Sequence, residues 1–372
     1  MLLTPIKICA VVWITVFFSF YMISDFYDSS VNYYIFVVIL LVCFIFWAVI
    51  EGLFYKPFRR QFRPRLKLFS FKLGLCAFVL ASLVEVFFSG NVPLVAQFGV
   101  GPYIAYTDYG VGGVHGLVNG LHLALAVACY VGRIETKEKV FLFILGGLIM
   151  WAIFLVSRQL LFSLFFLLFL TRLCLIENNL IRKSHAMRYA CIFLAGIFCF
   201  WILGSIRGHD INLFDLLGYK SGSWLDNNGA FQWIVMYLSS PLNNMLNNMN
   251  LQGDFYNLFS PLVPSFIRGV FDVPTPYLSI EIFNVTTGFY IYNTVFGYLG
   301  VFFFISLIGL FSVSAGLLLR RGHPFGFAMY LFVSHASFFS FFADFLVNLP
   351  FLAFLFFCSI FLKYPQRGKC NA

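Results

Sequence analysis

Apolar stretches of 16 to 23 residues recur along the whole chain, separated by short polar breaks, and ten of them read as helices. They cover residues 6–24, 32–54, 70–88, 115–132, 140–157, 159–176, 189–206, 297–319, 325–345 and 348–363. Runs of this kind cross a hydrocarbon layer of about 30 Å, in which every backbone N–H and C=O must find its partner within the protein. The pattern predicts an all-α, polytopic integral membrane protein with about ten transmembrane helices, residues 1–372 forming a single membrane domain. One interval breaks the rhythm. Residues 207–296, between the seventh and eighth runs, form a polar segment far longer than an ordinary connection. Within it Ala230 to Met249 carries an amphipathic helical pattern, expected to lie on the membrane surface with a kink or break at Pro241. A turn-rich stretch with Pro261, Pro264, Pro274 and Pro276 follows and carries Arg268.

Composition agrees with the pattern. Hydrophobic residues make up 61% of the chain and charged residues 10%, with a mean hydropathy of +0.90, which excludes a soluble globular domain. The first apolar run lacks a small-residue cleavage pattern and is followed at once by another, so no cleavable signal peptide is expected. The nine cysteines fall within spans or, for Cys370, in the tail, and no disulfide is expected. The two halves show no repeat.

Charge fixes the expected orientation. The basic stretch Lys56, Arg59, Arg60, Arg63, Arg65 and Lys67 places the second loop in the cytoplasm, and both termini then fall inside as well. On this topology the inner side carries 20 bases and 4 acids, and the outer side 4 bases and 11 acids. The pI of about 9.1 therefore reflects topology and not nucleic-acid binding. The four outer bases are Arg158, Arg207, Lys220 and Arg268. A cation kept outside against the rule needs a reason such as an anionic ligand, and arginine is the better bidentate phosphate binder.

Five short motifs stand at the outer ends of helices or in the long segment: Ser157-Arg158-Gln159, Gly204-Ser205-Ile206-Arg207-Gly208, Tyr237 to Pro241, Phe283-Asn284-Val285-Thr286-Thr287-Gly288 and Phe296-Gly297-Tyr298-Leu299-Gly300. With the topology they resemble the Wzy-type O-antigen polymerases, the oligosaccharide repeat-unit polymerases of lipopolysaccharide biosynthesis. The resemblance runs from about Pro93 to Gly300 by motif and along the whole chain by architecture. It implies a glycosyltransferase of the bacterial inner membrane. Such an enzyme moves a growing glycan from undecaprenyl diphosphate to a lipid-linked repeat unit at the periplasmic face, with a chain-length regulator and a flippase as partners. Where family members often carry an Arg in the loop after the third span, this chain has Tyr103, Tyr106, Asp108 and Tyr109.

That reaction needs cations on the leaving diphosphate and a base for the acceptor hydroxyl. Arg158, Arg207 and Arg268 are the expected diphosphate ligands, and His209, two residues beyond Arg207, is the leading base, with Asp210, Asp272, Glu281 and His115 as rivals. Each arginine also has a plainer reading as a snorkelling side chain or a partner of an outer acid. Trp233, Tyr237 and Asn284 are candidates for sugar binding, the aromatic rings by stacking on sugar faces. His122, His335, Glu85 and Asp344 lie in or near spans and are expected to make structural hydrogen bonds. Asn284, Thr286 and Thr287 would cap the eighth span if it began earlier than residue 297. The glycine-rich run Gly110 to Gly116 lacks the Lys-Ser/Thr ending of a phosphate loop, and no DxD pair, metal or cofactor is expected. An O-antigen ligase, which uses the same donor but another acceptor, and a polysaccharide flippase are the alternatives.

The topology yields a direct test. Alkaline phosphatase fused after Lys220 should be active and the same enzyme fused at the C-terminus inactive; activity at the C-terminus would overturn the ten-span assignment.

Overall fold

The computed structural model describes residues 4–23, 31–54, 64–104, 108–175, 229–263, 270–271, 273–278, 285–321 and 323–363. The protein is all-helical there apart from one two-residue strand pair. The helices are α1 (Pro5–Met22), α2 (Val31–Phe54), α3 (Leu68–Ser89), the short α4 (Pro93–Gln97), α5 (Val114–Thr136), α6 (Val140–Phe154), α7 (Arg158–Leu175), α8 (Gly229–Asn247), α9 (Tyr290–Phe296), α10 (Tyr298–Arg320), α11 (Pro324–Phe339) and α12 (Leu349–Phe361). Six of these elements are long and apolar enough to cross a membrane, and α6, α11 and α12 are shorter apolar helices. Nine of the ten expected runs are helices at the expected places; the run at 189–206 lies outside the described residues.

Two helices form the centre. Helix α5 is buried on all sides from Gly120 to Cys129, packed by α3, α6, α7 and α12, and α11 is buried from Gly326 to Ser337 among α1, α7, α10 and α12. Helices α2 and α3 instead show aliphatic faces outward, Val38, Val42, Ile45 and Val49 on one and Leu73, Leu80, Leu83 and Phe87 on the other, as lipid contact requires. Close approach in the centre depends on glycine. A Cβ on Gly120 would stand 2.2 Å from the Pro350 carbonyl oxygen and 2.6 Å from Ala353 Cβ, so α5 and α12 touch backbone to backbone there.

Polar side chains inside the bundle are paired between helices. His335 Nε2 lies 2.8 Å from Ser163 Oγ, His122 Nε2 2.8 Å from the Leu148 carbonyl oxygen, and Trp13 Nε1 donates to Ser340 Oγ at 2.9 Å. The buried Glu51 carboxylate accepts from Thr4 Oγ1 and Ser312 Oγ and from Ile6 N at 3.4 Å, tying α1, α2 and α10 together. Such bonds satisfy groups that hydrocarbon cannot.

Helix length shapes one end of the bundle. Arg65, Arg133, Lys137, Lys139, Arg320, Arg321 and Lys363 mark a basic end, where β1 (Arg65–Leu66) pairs antiparallel with β2 (Leu362–Lys363) and three-residue turns join α5 to α6 and α10 to α11. Helices α5 and α10 have 23 residues, whereas α6, α11 and α12 have 15, 16 and 13. At 1.5 Å per residue these three rise about 20–24 Å, against about 34 Å for the long ones. At the far end α6 joins α7 through residues 155–157, and α11 joins α12 through residues 340–348.

Helix α8 and segment 285–296 meet the 340–348 turn. Helix α8 runs unbroken through Pro241 and packs against α1, with Ser239 to Leu246 buried. The sequence led us to expect a surface helix with a kink or break at Pro241. Instead its polar face turns inward: Asn244 Nδ2 donates to the Val285 carbonyl at 2.9 Å, and Asn248 pairs with both backbone groups of Tyr277 at 2.7 Å. The Ser239 and Ser240 hydroxyls donate to the Val235 and Met236 carbonyls, each at most 2.7 Å away, beside the position where Pro241 lacks an N–H. Helix α10 starts at Tyr298, after Gly297, so Thr286 and Thr287 do not cap it; Thr287 Oγ1 instead donates to Met245 Sδ at 2.8 Å.

A matched pair of glycines tests the packing. Gly120→Ala should lower the unfolding free energy in detergent by about 1–3 kcal/mol through overpacking. Gly146→Ala on α6, where a Cβ meets nothing within 4 Å, should leave it unchanged or slightly raised. Equal effects at the two sites would contradict the helix contact.

Candidate functional site

Two turns carry the candidate residues, the α6–α7 turn and the turn 340–348 between α11 and α12. At the first of these the chain reverses through Leu155, Val156 and Ser157. Val156 is buried with φ of 53°, a left-handed conformation that costs a β-branched residue on the order of 1–3 kcal/mol. Ser157 then caps α7, its Oγ accepting from Leu160 N at 3.3 Å. This turn sets where α7 begins, and its first residue is Arg158.

The half-buried Arg158 guanidinium lies 5.2 Å from the Tyr237 ring centre and 5.7 Å from that of Trp233. The two rings stand four residues apart on α8, with centroids 6.1 Å apart, so one helical face presents both. Tyr237 stacks in turn on Phe342, at 6.1 Å and 23°, which links α8 to the 340–348 turn. Arginine over aromatic faces is a favourable cation–π arrangement, stronger when partly desolvated. Among the described residues Arg158 is the one Lys or Arg at the far end of the bundle. Three of the residues singled out from sequence, Arg158, Trp233 and Tyr237, are thus neighbours in space although about 75 residues of chain separate the first from the others.

The same turn carries Asp344. Its Oδ1 accepts from Leu346 N at 2.8 Å and Val347 N at 3.2 Å, and its Oδ2 accepts from the Tyr292 hydroxyl at 3.0 Å. Gly288 N donates to the Ser340 carbonyl at 2.8 Å, so segment 285–296 sits directly on the turn.

A second polar cluster stands at the far end of α3 and α5. Glu85 is fully buried, and its Oε1 lies 3.0 Å from His115 Nδ1. Tyr109 packs edge-on against the His115 ring at 5.6 Å, and burial beside Glu85 pushes its hydroxyl well above the ordinary phenol range. Gly110, at φ of 92°, closes over the pair: a Cβ there would stand 2.7 Å from His115 Nδ1, so the glycine-rich loop is a fitted cover.

Arg207, His209, Lys220, Arg268 and Asn284, with Asp210, Asp272 and Glu281, lie outside the described residues. His122 and His335 make the interhelical bonds expected of them. Phe342 was not singled out from sequence, because one Phe in the run Phe338 to Phe345 carries no distinguishing signal. Among the described residues no group of three His, Cys, Asp or Glu is placed to hold a metal ion. Comparison of the chain with protein-family models, with curated proteins and with solved structures finds no match.

The arginine–aromatic contact has a measurable coupling. A double-mutant cycle of Arg158→Ala and Tyr237→Leu should give an interaction of roughly 1 kcal/mol in unfolding free energy. Additive single effects would contradict the contact.

Proposed function

We propose that the protein is a repeat-unit polymerase of the bacterial inner membrane, transferring a growing glycan from undecaprenyl diphosphate to a lipid-linked repeat unit on the outer face. The observation that carries this reading is the Arg158 guanidinium resting on Trp233 and Tyr237 over short helices. A guanidinium is a bidentate phosphate ligand, and flat aromatic rings stack on sugar faces. A donor with a diphosphate next to its first sugar presents both groups side by side. Such a donor keeps its polyprenyl tail in hydrocarbon while its diphosphate lies near the depth at which α7 begins.

In this reading the far end is the periplasmic side, the chain crosses the membrane ten times with both termini inside, and Arg207 and Arg268 join Arg158 from segment 207–296. The cations neutralise charge that develops on the leaving diphosphate, and a base takes the proton of the attacking hydroxyl.

Purified protein given a synthetic undecaprenyl-diphosphate repeat unit should build a glycan ladder, and Arg158→Ala should slow it on the order of 10²–10³-fold. Transfer only to a lipid A core acceptor would make it a ligase. Movement of the lipid across vesicles without transfer would make it a flippase.

A further inference from the structure

Four carboxylates stand at the far end among the described residues: Glu85, Asp108, Asp254 and Asp344. Asp108 and Asp254 are exposed. Glu85 is fully buried and engaged with His115. Asp344 alone is both partly shielded and within the turn that meets the arginine–aromatic cluster, two residues from Phe342, which stacks on Tyr237 beneath Arg158. Its carboxylate is held from both sides, by two backbone N–H groups of its own turn and by the Tyr292 hydroxyl, so its direction is fixed before any ligand arrives.

We propose that Asp344 is the proton acceptor for the attacking sugar hydroxyl, in place of His209. This assignment rests on the polymerase reading. The acceptor oxygen forms its bond to the anomeric carbon of the growing glycan and passes its proton to the Asp344 carboxylate. The bond from that carbon to the diphosphate oxygen breaks, and its electron pair leaves with undecaprenyl diphosphate, whose added charge faces Arg158. The carboxylic acid then returns its proton to water, which restores the site.

A purely structural Asp344 would cap the 340–348 turn, and asparagine keeps that function because its carbonyl still accepts the Leu346 and Val347 N–H groups. Asp344→Asn therefore separates the two roles. In the ladder assay with full-length protein, Asp344→Asn should lower kcat on the order of 100-fold or more with KM within a few-fold. Its thermal stabilisation by added undecaprenyl diphosphate should equal that of wild type, and His209→Ala should stay within a few-fold of wild type. Near-normal turnover of Asp344→Asn overturns the proposal, as does an Asp344→Asn protein that no longer folds or gains no stability from undecaprenyl diphosphate. An inactive His209→Ala beside an active Asp344→Asn returns the role to His209. A wild type that builds no ladder sinks the polymerase reading itself.

Discussion

Hydrocarbon offers no hydrogen-bond partner, so any stretch of this chain that leaves the helical state at membrane depth must be met by polar groups of the protein itself. The far end of the bundle is built around that constraint. There α6 and α7, and α11 and α12, end in turns whose backbone groups leave the helical pattern. Segment 285–296 descends onto these ends, and α8 lies beside it with asparagine and serine side chains turned inward to bond exposed carbonyls. The polar lining and the placement of Arg158 follow from backbone satisfaction at these turns.

The same constraint explains why the site is economical in charge. A cation at this depth is tolerated where aromatic faces and nearby polar groups replace part of its hydration, and Trp233 and Tyr237 supply such faces to Arg158. With the guanidinium already over the rings, an incoming sugar and the arginine compete for the same surface. A donor carrying both sugar and diphosphate resolves that competition by drawing the guanidinium to its phosphates while the sugar takes the ring faces.

Much of the fold was legible from the chain alone, because an apolar run of about 20 residues leaves few alternatives to a helix. Nine such runs became helices, that of 325–345 ending at Phe339, and apart from Arg158 the basic residues among the described part gathered at one end as the loop charges implied. Helix α8 was legible as a helix but not in its placement. An amphipathic pattern reports that two faces differ, and the asparagine face that suggested water meets protein carbonyls instead. For the site, Arg158 stood out as a misplaced charge and Trp233 and Tyr237 as aromatic residues in a polar segment, yet nothing in their spacing announced that they touch. Asp344 was noted as a polar residue near a span and read as structural, since sequence does not show which turn faces which helix.

The account turns on what Arg158 binds. A structure of the protein with undecaprenyl diphosphate in a lipid bilayer tests this most directly. The account predicts phosphate oxygens within about 3 Å of the Arg158 guanidinium, displaced from its place over Trp233 and Tyr237. Diphosphate bound elsewhere, with Arg158 still resting on the two rings, would contradict it.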